Sequence, residues 1–115
     1  MQITQIQRDE DITHLVLAGR LDAAGVQEVD IKFSAYTAAR RKSTLVDLSL
    51  VEFIASLGIG MLIASAKALQ RHGAAMVLLS PQESVEKVLK TLGIDQVIPV
   101  VHDLESGLRR LGAGA

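Results

Sequence analysis

Cysteine is absent from this chain of 115 residues. Without a thiol there is no disulfide framework, no thiolate metal site and no cysteine nucleophile. This composition is compatible with a reducing compartment, and we expect a cytoplasmic protein. The length is that of one domain, which we expect to extend over residues 1–115 and to bury a core without disulfides or metals.

Aromatic residues, an excess of one charge and long apolar runs are also lacking. Aromatic side chains make up 3% of the chain, and the 12 Lys and Arg residues nearly balance the 13 Asp and Glu residues. Nucleic-acid partners are therefore not expected, because they usually require a basic excess or platforms on which bases stack. The longest apolar run, 57–64, is far shorter than the roughly 20 residues that cross a bilayer, and residues 1–8 do not resemble a signal peptide. We expect no direct insertion into a membrane.

The hydrophobic pattern predicts an α/β fold in the order ββαβαβαβα. The predicted strands span 3–6, 12–18, 44–48, 75–79 and 96–100. Three of the predicted helices begin after the cap residues Asp22, Ser80 and Asp103, and the remaining helix is predicted to run from Leu57 to His72. Gly19 is expected to end the second strand, and residues 51–54 are expected to form a turn. After the first hairpin, strands and helices alternate, which requires crossovers and so a mixed sheet of about five strands flanked by four helices.

The residues that usually carry chemistry form no catalytic set. The three histidines share no ligand spacing with one another or with the carboxylates, which argues against a metal site. Gly58 and Gly60 lack the third glycine and the lysine of nucleotide-binding loops. Ser56 has no histidine near it in sequence that would make it a nucleophile. We therefore expect a binding module with no catalytic residues, no metal and no cofactor.

Ser56 is placed where the second helix is predicted to begin, and two interpretations are open. The side chain caps the helix by accepting a backbone N–H, or it carries a phosphate, because unpaired N–H groups and the helix dipole favour negative charge there. The local pattern alone favours capping. Asp22 is likewise placed to cap the first helix, which begins at Ala23.

The order of several short motifs resembles the STAS domain, a family named for sulfate transporters and anti-sigma factor antagonists. Gly19-Arg20-Leu21-Asp22 is similar to the family's G-x-L-D after the second strand, and residues 45–49, LVDLS, are similar to its third strand. Residues 53–60, FIASLGIG, are similar to the signature loop, usually close to F-x-D-S-S-G-x-G. Further matches at 73–79, 92–94 and 103–108 extend the resemblance over nearly the full length.

The resemblance implies a stand-alone anti-sigma factor antagonist (anti-anti-sigma factor). In that family the unmodified protein binds an anti-sigma factor that is also a serine kinase of the GHKL type, and so frees the sigma factor. The kinase phosphorylates the serine at the position of Ser56, which switches binding off, and a PP2C-type phosphatase reverses the modification. The partner-binding residues expected on this basis are Arg20, Asp22, Ala23, Ala55, Ser56, Leu57, Gly58, Gly60 and Met61, with Leu57 and Met61 supplying apolar area. Asp22 is then a helix cap, a partner contact or both, and Arg20 is either a partner contact or a solvated charge.

Two positions depart from the family signature. Ala55 replaces the aspartate, which removes a negative neighbour of Ser56, and Leu57 replaces the second serine, which adds apolar surface. An alternative function therefore stays open: a STAS subunit of a membrane ABC transport complex of the phospholipid type, in which no phosphorylation cycle is needed. The alanine at position 55 slightly favours that alternative.

Overall fold

The computed structural model describes residues 1–9 and 11–112, and only the backbone of Arg8 and Asp9. Over the described residues, the chain forms in order β1 (Gln2–Asp9), β2 (Ile12–Leu21), α1 (Ala23–Tyr36), β3 (Ser43–Ile54), α2 (Ser56–Arg71), β4 (Met76–Leu79), α3 (Glu83–Thr91), a 3₁₀ turn (Ile94–Gln96), β5 (Val100–Val101) and α4 (Leu104–Arg110). This confirms the predicted order ββαβαβαβα. Residues 113–115, which belong to the predicted domain, lie outside the described part.

The strands form one mixed sheet in chain order, β1-β2-β3-β4-β5. β1 and β2 make an antiparallel hairpin, whereas β2, β3, β4 and β5 are parallel to their neighbours. The parallel pairs require the crossover helices that the alternating pattern predicts. Because β2, β3 and β4 run in the same direction, the segments that follow them meet at one edge of the sheet.

Alternate residues of the central strands enter two different cores, as the two-residue period of a strand requires. Val46 and Leu78 belong to the larger core, together with the inner faces of α1, α2 and α3. Leu45 and Val77 belong to a smaller core that α4 covers through Leu108. Three helices therefore pack on one face of the sheet, and the last helix packs on the other face. Within the described residues, no helix is both long and apolar enough to span a bilayer.

The two strands that lead to the signature loop are longer than predicted. β2 continues through Gly19 to Leu21, and β3 runs to Ile54, so the predicted turn at 51–54 is wrong. Val51 pairs with Gly19 and Ile54 pairs with Leu21, and both apolar side chains are buried. Gly19 adopts a φ of +117° at a shift in the β2–β3 register, where it bends the ladder without ending it.

Two smaller predictions near the carboxyl end of the chain are also wrong. Ser80 does not cap α3, because Gln82 precedes the helix and the Ser80 hydroxyl donates to the carbonyl of His102. β5 comprises only Val100–Val101, since the residues predicted to begin it lie in or next to the 3₁₀ turn. The predicted cap at Asp103 is confirmed, because its carboxylate accepts the Ser106 amide at 2.8 Å.

Candidate functional site: the surface around Ser56

The ends of β2 and β3 bring the two resembling motifs together. Leu21 pairs with Ile54, and the Ala55 amide donates to the Leu21 carbonyl at 3.0 Å. Asp22 follows Leu21 in the chain and Ser56 follows Ala55, so this hydrogen bond makes the start of α1 and the start of α2 neighbours. We call the exposed or half-exposed residues at this edge the Ser56 surface: Arg20, Asp22, Ala23, Ala55, Ser56, Leu57 and Gly60.

Gly58 explains why α2 begins so close to β2. A Cβ at this position would lie 2.6 Å from Leu21 Cγ and 2.8 Å from the Leu21 carbonyl oxygen, so only glycine fits without displacing the strand. Gly58 is buried by this contact. Its part in the predicted interface is therefore to position the helix start, since it presents no side chain and little surface to a partner.

Ser56 does not cap α2, and the capping interpretation is wrong. The N-cap is Ala55, with extended backbone (φ −109°, ψ 172°), and among the described residues no side chain accepts a first-turn amide. The Ile59 amide donates to the Ala55 carbonyl at 3.0 Å, which places Ser56 as the first residue inside the helix. Ser56 is exposed, and its hydroxyl makes no hydrogen bond with the described part of the chain. The hydroxyl is therefore accessible to a modifying enzyme.

Asp22 caps α1, as predicted, and is also paired with Arg20. Its Oδ1 accepts the Gly25 amide at 2.8 Å, and its Oδ2 lies 3.4 Å from Arg20 Nε. The hydrogen bond from Gly25 holds the pKa of Asp22 below its ordinary value; partial loss of hydration opposes this shift, and Arg20 adds to it. Asp22 is thus an ionised carboxylate beside Ser56, with its two oxygens directed to different partners.

Gly25 makes this cap possible, although the sequence pattern treats it as a weak point of the helix. A Cβ on Gly25 would lie 2.0 Å from the Arg20 carbonyl oxygen, so the first turn of α1 folds back against the end of β2 at a distance that only glycine allows. A close approach of this kind depends on the tertiary path of the chain and leaves no local signal in the sequence.

Of the two residues predicted to supply apolar area to the Ser56 surface, one is exposed and the other is buried. Leu57 is 60% exposed, as expected, but Met61 is 7% exposed and packs in the larger core, so the expectation that it supplies apolar area to a partner is wrong. Phe53, 40% exposed on β3, was not predicted as a site residue. The guanidinium carbon of Arg20 lies 4.4 Å from the centre of its ring, a cation–π contact.

The charged side chains of this surface are few, and they offer no metal ligand set. No charged residue occurs between positions 53 and 66, and between positions 12 and 27 the only charged residues are Arg20 and Asp22. Among the residues described, no group of three or more His, Asp or Glu side chains could hold a metal ion. The arrangement presents one accessible hydroxyl at a helix start, one ion pair and an exposed leucine, which are the elements of a surface for binding.

Comparison with known proteins identifies the family. The model of the STAS domain matches residues 4–107, and the chain belongs to that family. The anti-sigma-B factor antagonist of Listeria monocytogenes is 22% identical over 94 residues, which cover 82% of each chain. The crystal structure of an anti-sigma factor antagonist from Mycobacterium paratuberculosis is 19% identical, with a TM-score of 0.83 over 96% of this chain and 95% of that one. The Bacillus cell fate determinant SpoIIAA in its phosphorylated form is 18% identical, with a TM-score of 0.70 over 95% and 98%.

Proposed function

We propose that this chain is an anti-sigma factor antagonist whose binding is switched at Ser56. In its unmodified form it binds an anti-sigma factor that is a GHKL-type serine kinase, and this binding releases the sigma factor. The kinase transfers the γ-phosphoryl group of ATP to the Ser56 hydroxyl, ADP leaves, and the hydroxyl proton is lost. A PP2C-type phosphatase hydrolyses the phosphate and restores binding.

The observation that carries this proposal is the position of Ser56. It is exposed, it is the first residue of a 16-residue helix, and it has no capping duty that would hold its hydroxyl. The family and the names of similar proteins agree with this assignment, since they include anti-sigma factor antagonists and a phosphorylated form. Neither of the other exposed serines of helices α1 and α3 lies in the signature loop of the family.

The switch follows from the negative charge that a phosphate adds to the Ser56 surface, which has little net charge of its own. In the unmodified chain the Arg20–Asp22 pair is neutral as a unit, and the neighbouring residues of α2 are uncharged. A phosphate adds about −1.5 to −2 charges. A partner that covers Leu57 and Gly60 must remove water from that phosphate, and dehydrating a group of nearly two negative charges costs more than the apolar contacts stabilise, because one cation neutralises it only in part. The phosphate is tolerated in the free protein because solvent and the helix start surround it.

The chain itself takes no catalytic part in this cycle. The kinase and the phosphatase perform the chemistry, and the Ser56 surface supplies the acceptor hydroxyl and the docking area. No cofactor is needed for that role. The partners are cytoplasmic in such a cycle, so we place this protein in the cytoplasm.

The proposal is tested by measuring phosphorylation and binding together. Each GHKL-type anti-sigma factor of the source organism is incubated with the chain and ATP, and intact mass reports the addition of phosphate. Ser56→Ala is compared with Ser84→Ala, because Ser84 is also exposed in the first turn of a helix, α3. We expect one phosphate in the wild type and in Ser84→Ala, and none in Ser56→Ala. Binding of the same kinase is then measured by calorimetry before and after phosphorylation.

Three outcomes contradict the proposal in different ways. Phosphorylation that persists in Ser56→Ala places the site elsewhere. Kinase affinity that is equal before and after modification removes the switch. Failure to bind any such kinase, together with co-purification of an ABC permease and its ATPase, supports the transport-complex alternative.

A further inference from the structure

Arg20 is held in a defined orientation at the edge of the Ser56 surface. Its strand position pairs with Phe53, its guanidinium carbon lies 4.4 Å from the centre of that ring, and its Nε lies 3.4 Å from Asp22 Oδ2. One contact restrains the face of the guanidinium and the other restrains one edge. Orientation of this kind reduces the side-chain entropy that a flexible arginine loses when it binds an anion.

The remaining edge of the same guanidinium is available. Arg20 Nε donates to Asp22, and in the described part of the chain the two Nη groups have no hydrogen-bond partner. The side chain is 57% exposed. A pair of Nη groups on a planar guanidinium matches two oxygens of a phosphate, the geometry in which arginine binds anions most strongly.

Ser56 and Arg20 lie at the same edge of the sheet. The Ala55 amide donates a hydrogen bond to the Leu21 carbonyl. Ser56 follows Ala55 in the chain, and Arg20 precedes Leu21. Arg20 is the only cationic residue between positions 9 and 31, and the stretch from 53 to 66 contains none. The segments that meet at this edge thus bring a single cation to the modified helix start.

We propose that Arg20 is the internal counter-ion of the phosphate on Ser56. This inference rests on the proposed function, since it concerns the modified form of the same site. In the unmodified chain the Nη edge is free to contact an acidic group of the partner. After modification the phosphate binds the two Nη groups, while Arg20 Nε still donates to Asp22 and the face of the guanidinium still packs on the Phe53 ring. Phosphorylation then acts twice, by adding negative charge and by withdrawing a donor from the interface.

The test measures the phosphate directly and needs no kinase. Phosphoserine is introduced at position 56 during translation, and the second pKa of the phosphate is determined by ³¹P NMR titration. The charged side chains of the Ser56 surface are Arg20 and Asp22, and the segment that follows β4 at the same edge adds Glu83. Asp22 and Glu83 are unchanged in every variant. Phosphoserine has a second pKa of about 6, and a nearby cation lowers such a value, so we expect Arg20→Gln to raise the pKa by at least about 0.5 units. Arg20→Lys, which keeps the charge but not the paired donors, is expected to give an intermediate value.

Arg40 provides a matched control. It also lies over an aromatic ring, with its guanidinium carbon 4.9 Å from the centre of Tyr36, and it also makes a side-chain hydrogen bond, to Gln5. It follows the far end of α1, about 20 Å along the helix axis from Asp22. Arg40→Gln removes the same charge, and we expect it to change the phosphate pKa by less than about 0.1 units because salt screens charges at that distance.

Equal pKa values in the wild type, Arg20→Gln and Arg40→Gln would overturn the counter-ion, and so would equal increases in the two glutamine variants. Circular dichroism of each phosphorylated variant verifies the fold, and Arg20→Lys replaces Arg20→Gln if the latter is unfolded. The outcome is separable from that of the proposed function. A kinase that ignores Ser56 refutes the switch but leaves the measured pKa difference intact, whereas an unchanged pKa refutes the counter-ion even where the kinase modifies Ser56.

Discussion

Gly58 and Gly60 lie two residues apart in α2, and a methyl group at the two positions is expected to change stability in opposite directions. A Cβ on Gly60 would meet no atom of the described residues within 4 Å, and the residue is exposed. Replacing an exposed glycine inside a helix by alanine stabilises by about 1 kcal/mol, because the unfolded chain loses conformational freedom. For a domain of this size, that gain corresponds to an increase in Tm of about 3–5 °C.

Gly58→Ala places the methyl group against the strand that carries Asp22. The new Cβ would lie 2.6 Å from Leu21 Cγ and 2.8 Å from the Leu21 carbonyl oxygen, which also accepts the Ala55 amide. The side chain can rotate away, but the carbonyl cannot move without disturbing that hydrogen bond. Overpacking of this kind costs about 1–3 kcal/mol. The carbonyl contact places the cost near the upper limit, so the net loss after the helix preference of alanine is about 2 kcal/mol.

Urea unfolding followed by circular dichroism measures both changes, and each variant serves as the control for the other. The reasoning is refuted if Gly60→Ala lowers the midpoint, since that requires an unseen contact, or if Gly58→Ala leaves it unchanged. Binding separates the two positions further. If a partner covers the Ser56 surface closely, Gly60→Ala is more stable than the wild type and yet binds the kinase more weakly. A more stable variant with unchanged affinity would remove Gly60 from the interface.

Other side chains give further expected outcomes. Asp22→Asn keeps a capping acceptor and loses the charge, so its urea midpoint is expected to stay near that of the wild type, whereas Asp22→Ala lowers it; equal losses would contradict the cap. The hydrogen bond from His102, at 2.9 Å, lowers the pKa of Glu86. That carboxylate stabilises the fold above its unfolded pKa, and the contribution is lost as pH falls through its lower folded pKa. In NMR titrations His102→Gln is expected to raise the pKa of Glu86 and His72→Gln to leave it unchanged, and no difference between them would refute the pairing. Ala55→Asp supplies the missing cap of α2 and is expected to stabilise by about 1 kcal/mol in urea unfolding; no gain would mean that the helix start is already satisfied.

The order of elements could be predicted from the sequence because each signal is local. The cap at Asp22 needs only a carboxylate before a helical pattern, and the alternation of strands and helices needs only the change of hydrophobic period. The extension of β3 to Ile54 had no such signal. Val51 and Ile54 are held in the sheet by pairing with Gly19 and Leu21, and this pairing is a tertiary contact that overrides local preference.

The faces of α2 were the least predictable part of the site. The first half of this helix is apolar on almost every side, so a 3.6-residue period cannot separate Leu57, which is 60% exposed, from Met61, which is 7% exposed. The first residue of the helix is also hard to predict, because the sequence pattern does not distinguish a serine at the N-cap from a serine at the first helical position. The backbone of Ala55 decides between them.

Ala55, which replaces the aspartate of the family signature, and Arg20 together determine which donors and charges would surround a phosphate at the start of α2. An aspartate at position 55 would cap the first turn and would add a second carboxylate beside Asp22. With alanine there, no side chain in the described part of the chain accepts a first-turn amide of α2, and the Asp22 carboxylate is paired with Arg20. The free protein therefore has donors available for a phosphate and little negative charge to repel it. If Ser56 is phosphorylated as proposed, opposition to the phosphate comes from the docked partner, and we expect the modification to weaken the complex and to leave the fold of the free chain unchanged.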